Sequence, residues 1–165
     1  MAPYWIKVEG LRLGIIPRPR GQDWLTDDVR ALRRFGVDVV VSALTLAETE
    51  EWGLRGERRC CEDNGLKFLS FPIEDRSLPT SLSEFDGLID SVTDYLREGK
   101  AVVVHCWGGV GRSSLIAACV LLRNGLSADS AFRVIEEARG RQVPDTAEQR
   151  QWVERYSSRF GSVGK

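Results

Sequence analysis

Residues 101–106, Ala-Val-Val-Val-His-Cys, are almost all apolar and do not alternate, and they run straight into Trp-Gly-Gly-Val-Gly at 107–111. A strand buried on one face alternates with polar residues, so this run predicts a central strand covered on both faces. The glycines predict a tight loop. The stretch from Arg112 to Asn124, stopped by Gly125, predicts a helix. A buried strand entering a helix through so short a loop implies an α/β layer fold with a mainly parallel sheet flanked by helices. Ligands in such folds bind beyond the carboxyl ends of the strands, which is where Cys106 lies.

The rest of the chain fits that frame. Strands are expected at Tyr4–Val8, Leu11–Ile16, Asp38–Ala43 and Lys67–Phe71. Helices are expected from an N-cap at Thr26 to Phe35, over Leu46–Trp52 and Arg55–Asn64, and over Ser83–Glu98, Ser127–Arg139 and Thr146–Phe160. Residues Pro72 to Pro79 form a loop. No repeat or linker interrupts the pattern, and the length of 165 residues suits one domain over 1–165.

The loop at 105–113 carries the chemistry. A Cys followed by Arg six residues later means little alone. With 19 arginines in the chain, four cysteines give roughly a two-in-five chance of one such pair. Requiring the only His before the Cys, Gly at 109 and 111, and Ser at 113 lowers that to on the order of one in several hundred thousand, taking positions as independent. Such a loop points successive backbone N–H groups at one spot, and the following helix adds positive potential there. Gly108, Gly109 and Gly111 permit tight curvature and close approach of an anion. Arg112 offers a planar fork that matches two phosphate oxygens. The same field favours the thiolate of Cys106, since thiols at helix N-termini fall to roughly 3.5–7.5 in pKa. His105 precedes Cys106 in the strand, so its side chain points the other way. It is expected to orient the loop rather than act as base. Ser113 is expected to donate to the thiolate as it departs.

These residues resemble the protein tyrosine phosphatase superfamily, and more closely its small dual-specificity phosphatases of the kinase-associated phosphatase (cyclin-dependent kinase inhibitor 3-like) group. The resemblance rests on Phe71-Pro-Ile-Glu-Asp75, His105-Cys-Trp-Gly-Gly-Val-Gly-Arg-Ser113 and Thr146-Ala-Glu-Gln149, and covers residues 66–160. It implies a cysteine-phosphatase fold and a metal-independent protein phosphatase working through a cysteinyl-phosphate. The implied catalytic residues are Cys106, Arg112, Asp75 as general acid, Ser113, and Gln149 as the group that positions water. Substrate phosphate is held by Trp107, Gly108, Gly109, Val110, Gly111 and Arg112. Glu74 is a rival acid. Thr146 and Gln149 also read as a capping box, a structural use of the same Gln. Trp107 is expected mainly as a wedge against the core, with stacking on substrate as the alternative. Trp24, Trp52 and Trp152 are expected as core or edge aromatics. No Tyr-bearing loop that would deepen the pocket is found, so phosphotyrosine is the expected substrate and a shallow site also admits phosphoserine and phosphothreonine. The uncharged Trp107 and Val110 disfavour inositide lipids.

Composition narrows the partners. Lys plus Arg is 23 against 24 for Asp plus Glu, a net charge of -1, which excludes a nucleic-acid binder relying on overall charge. One histidine excludes a His-rich metal site, and no cofactor is expected. Cys60 and Cys61 are adjacent, a spacing that suits neither a disulfide nor zinc. The N-terminus lacks the basic-then-apolar pattern of a signal peptide, and no run is long enough to span a bilayer. A cytoplasmic protein acting on phosphorylated proteins or peptides is therefore expected, with phosphate or another oxyanion in the loop and no membrane. Three alternatives stay open: a phospho-binding pseudophosphatase, a phosphatase of a non-protein phosphomonoester, and a sulfur-transfer or arsenate-reducing enzyme.

Overall fold

The computed structural model describes residues 1–160. The expected domain extent reaches 165, and residues 161–165 lie outside the described residues. Among the described residues, five strands form one sheet: β1 (Tyr4–Trp5), β2 (Leu13–Ile16), β3 (Val39–Ser42), β4 (Lys67–Ser70) and β5 (Val102–His105). Their order is β1-β2-β5-β3-β4. Only β1 runs antiparallel to its neighbour, so the sheet is mainly parallel. β5 lies between β2 and β3, with His105 opposite both Ile16 and Ser42.

Among the described residues, seven α-helices cover the sheet: α1 (Leu25–Arg34), α2 (Leu46–Glu51), α3 (Glu57–Asp63), α4 (Leu82–Arg97), α5 (Arg112–Arg123), α6 (Ala128–Arg139) and α7 (Ala147–Ser157). Alternation along β5 divides the core. Val102 and Val104 join the cluster with Phe85, Ile89 and Leu115 from α4 and α5. Val103 joins the opposite cluster with Val29, Leu32 and Cys61 from α1 and α3. His105 falls on the Val103 side by the same period, and Cys106 on the other. Helix α5 is buried from Arg112 to Leu122 because α4, α6 and α7 surround it. This explains its lack of a polar face. No helix among the described residues is long and apolar enough to cross a membrane.

Most boundaries fall within two residues of expectation, and three places differ in kind or by more. The N-terminal pairing shrinks to two residues plus an isolated bridge between Val8 and Leu11. Thr26 is not the N-cap of α1. A 3-10 turn at Gln22–Trp24 leads directly into the helix, and Trp24 occupies the cap. The chain is already turning when it reaches Thr26, so no side-chain cap is needed there. The last helix ends at Ser157, and Ser158–Phe160 form a 3-10 turn.

An aromatic cluster joins α4, α7 and the segment that leads to the 72–79 loop. The Phe85 ring lies edge-on to Phe71, Trp152 and Tyr156, with centroids 5.6, 5.0 and 5.4 Å away. The Tyr156 hydroxyl donates to Asp86 Oδ1 at 2.6 Å. Phe85 is fully buried, so Phe85→Ala should cost about 3–5 kcal/mol. In urea denaturation the midpoint should fall while the slope is kept. A change under about 1 kcal/mol would mean that the cluster does not hold the two helices together.

Candidate active site

Cys106 follows the last residue of β5, and Arg112 begins α5. The loop between them wraps around the Cys106 sulfur. The Ser113 hydroxyl lies 3.4 Å from Sγ. Burial, the largest influence, pushes the thiol pKa up. The Ser113 hydroxyl, the backbone N–H groups of Ser113 and Val110, and the charge of Arg112 together outweigh it. The net direction is below the ordinary thiol value, so the geometry favours a thiolate in a nearly closed site where Cys106 is only 3% exposed.

Two of the three glycines are required by space or conformation. Gly109 has φ +70, and a Cβ there would lie 3.0 Å from the Ile16 carbonyl oxygen. A Cβ on Gly111 would collide with the Asp145 carboxylate. Gly108 has neither restriction, so the expected need for glycine there is not met by the fold. Arg139 of α6 props the loop from outside, donating from Nε to the Gly109 carbonyl at 2.8 Å and from a terminal nitrogen to that of Gly108 at 3.3 Å.

Arg112 is 1% exposed, and a buried guanidinium needs counter-charge. Glu48 of α2 supplies it with two contacts, at 2.7 and 2.9 Å. The Ile73 carbonyl accepts at 2.9 Å and Asp75 Oδ1 at 3.2 Å. Arg112 Nε is buried without a partner among the described residues. Burial pushes the Arg112 pKa down, but the Glu48 hydrogen bond and the charges of Cys106, Glu48 and Asp75 raise it overall. Glu48 is itself held by Thr45 in a capping box, its Oε2 accepting from the Thr45 N–H at 2.8 Å. Burial works to raise the Glu48 pKa, and the Arg112 and Thr45 bonds bring it below the ordinary carboxylate value.

The remaining sequence candidates fall in different places. Asp75, with its side chain 65% exposed, reaches Arg112. Glu74 is exposed, and its backbone carbonyl accepts from Ser77. Gln149 is fully buried. Its Oε1 accepts from the Thr146 N–H at 3.3 Å and its Nε2 donates to the Ser77 carbonyl at 3.1 Å. It therefore ties α7 to the 72–79 loop. Trp107 is not a wedge: it is 51% exposed at the mouth of the loop. The neighbouring volume is already filled by Trp52, at 6.0 Å between centroids, and by Arg18, whose guanidinium lies 3.9 Å above the Trp52 ring. Trp24 is 56% exposed and covered on one side by Arg20 rather than by the core. A groove of about 730 Å³ adjoins the loop, lined by Val110 and Asp145 and by the cations Arg141 and Arg150.

His105 is fully buried on the α3 side, with Nε2 2.7 Å from Glu57 and Nδ1 3.2 Å from the Cys106 carbonyl. Sequence reasoning missed Glu48, Glu57 and Arg139. The pattern Thr45-x-x-Glu48 marks a capping box, but nothing in it points to Arg112. Glu57 and Arg139 carry no local signal at all.

The family model described as dual specificity phosphatase, catalytic domain, matches residues 26–158. Cyclin-dependent kinase inhibitor 3 of Rattus norvegicus is 23% identical over 137 residues, covering 82% of this chain and 64% of that relative. The chain thus spans less than two thirds of that relative's length. Among solved structures, kinase associated phosphatase with its catalytic-site cysteine replaced by serine is similar at TM-score 0.82 and 21% identity, covering 91% of this chain and 88% of the other. Tk-PTP in the active form is similar at TM-score 0.77 and 26% identity, covering 96% and 97%.

The balance at Cys106 gives a pH prediction. Ser113→Ala removes a hydroxyl that favours the thiolate, so the thiol should titrate at higher pH. Iodoacetamide alkylation of Cys106 at pH 6 should slow about tenfold or more, with little change at pH 9. Superimposable pH profiles would show that the hydroxyl does not act on the sulfur.

Proposed function

Because the chain belongs to the dual specificity phosphatase catalytic-domain family, we propose that it is a cysteine-dependent phosphatase whose substrates are phosphorylated proteins or peptides. The observation that carries this is the Cys106 sulfur at the end of β5, 3.4 Å from the Ser113 hydroxyl, in a loop closed by the buried Arg112. The kinase associated phosphatase structure with its catalytic-site cysteine replaced by serine supports the same assignment.

The substrate phosphate enters the loop and accepts hydrogen bonds from its backbone N–H groups. Arg112 offers the phosphate its unpartnered Nε, and a terminal N–H once Asp75 turns from it to the leaving group. Cys106 Sγ attacks phosphorus, and the bond from phosphorus to the substrate oxygen breaks. Asp75 gives its proton to that oxygen. A cysteinyl-phosphate and a free hydroxyl result. Water then attacks phosphorus, its proton passes to the Asp75 carboxylate, and Cys106 leaves as thiolate with the Ser113 hydroxyl 3.4 Å away. Inorganic phosphate is released. Arg112 and the loop N–H groups meet the phosphate charge, so the proposed reaction calls on no metal or cofactor. His105 orients the loop, and Gln149 fixes the 72–79 loop that carries Asp75. Uncharged Trp107 and Val110 favour phosphotyrosine, with phosphoserine and phosphothreonine as further substrates, over a polyphosphorylated head group.

Cys106→Ser should abolish hydrolysis of para-nitrophenyl phosphate while phosphate still binds, as measured by calorimetry. Turnover equal to that of the parent would exclude the cysteine mechanism. Asp75→Ala should lower kcat on the order of 10²–10⁴-fold for alkyl phosphates and phosphopeptides. The loss should be far smaller for activated aryl phosphates, whose leaving groups need no proton. A uniform effect across leaving groups would transfer the acid role to Glu74 or another group. Phosphate release from a phosphopeptide panel, run beside inositide phosphates, tests the substrate class.

A further inference from the structure

The pair formed by His105 and Glu57 lies outside the proposed chemistry, yet it is built into the strand that ends at the nucleophile. His105 is 0% and Glu57 2% exposed in the side chain. The ring faces an acceptor at both nitrogens: the Glu57 carboxylate at Nε2 and the Cys106 carbonyl at Nδ1. A neutral imidazole has one N–H and satisfies only one acceptor, whereas an imidazolium satisfies both. The second Glu57 oxygen is buried without a partner among the described residues. So costly an arrangement is poor evidence for stability, because buried ion pairs gain little over apolar residues of the same shape. Its position gives it another use.

We infer that Glu57 is a positioning residue for the nucleophile: it holds His105 as an imidazolium, whose Nδ1–H fixes the Cys106 carbonyl and whose charge favours the thiolate of Cys106. The inference rests on Cys106 being the nucleophile. Few other charges act on the ring. β2 and β3 place Ile16 and Ser42 beside it, neither of which titrates. α1 carries Asp28 on that side of the sheet, but Arg20 holds it at 2.7 Å. From α3 comes Glu57, and from its own strand end Cys106. Burial, the largest influence, lowers the His105 pKa, yet the charge and hydrogen bond of Glu57, the Cys106 carbonyl and the Cys106 charge raise it above the ordinary 6.5. The Cys106 pKa moves the other way. The two shifts run in the directions that favour imidazolium and thiolate together. The pair's contribution to stability is complete below the ordinary imidazole value and is lost as pH rises through the raised one.

The chain has one histidine, so the ring can be read directly in the unaltered protein. In protein labelled with ¹⁵N-histidine, both ring nitrogens should show imidazolium shifts at pH 7, with a titration midpoint above that of free histidine. Coupling between two sites is reciprocal, so Cys106→Ser should move the midpoint down. In the Glu57→Gln variant, alkylation of Cys106 at pH 6 should slow on the order of fivefold, with the acid limb moved to higher pH. A purely structural role would lower thermal stability and leave that profile in place. A neutral ring at pH 7, a midpoint unmoved by Cys106→Ser, or an unshifted alkylation profile in folded Glu57→Gln would each overturn the inference. The nitrogen spectra decide even where Glu57→Gln does not fold. None of these measurements needs turnover, so absent phosphatase activity would count against the proposed function alone.

Discussion

The site is organised around a cation that has no access to water. Arg112 is the largest fully buried side chain among the described residues, and its charge could not be placed there without compensation. Glu48 provides a two-pronged partner, and Ile73 and Asp75 take up the other donors of the two terminal nitrogens, leaving Nε without a partner among the described residues. This requirement brings α2 and the 72–79 loop to the start of α5. It also fixes the guanidinium fork in a plane before any phosphate arrives, so little side-chain entropy remains to be lost on binding.

The segment between β3 and β4 thereby acquires a chemical purpose. It supplies two carboxylates, Glu48 from α2 and Glu57 from α3, to two cations that bracket Cys106 in the sequence, Arg112 and His105. On the inference drawn above, both of these compensated charges favour the Cys106 thiolate. Burial alone would raise its pKa, as it does for Cys61 and Cys119. The contrast among three buried thiols of one chain shows that directed donors, not seclusion, separate Cys106 from the others. The same segment carries Trp52, which supports the exposed Trp107 at the mouth of the loop. Charge compensation and the wall of the site therefore come from one short stretch of chain.

Much of the fold was legible because its signals are local. The unalternating run at 101–106, the glycine-rich turn after it and the stop signal at Gly125 each lie within a few residues of the element they define. The boundary at Thr26 was misread because an upstream turn had already shaped the chain, which no residue preference at Thr26 records. At the site, the 105–113 loop was legible for the same local reason. Glu48 and Glu57 were not, since their partners lie 64 and 48 residues away. Trp107 was misjudged because a large apolar residue is ordinarily buried, and only the positions of Trp52 and Arg18 show that the space behind it is taken.

By itself, the sequence determined the sheet's central strand, the alternation that sends His105 and Cys106 to opposite faces, and the anion-binding turn between β5 and α5. All three follow from dihedral preferences and side-chain period, which neighbouring residues fix. The tertiary structure alone decided which carboxylates neutralise Arg112 and His105, that Gln149 ties α7 to the Asp75 loop, and that Trp107 faces solvent. Those outcomes depend on which distant groups share a space from which water is excluded. In that space an unpaired charge or an unfilled volume costs more than local preference can offset.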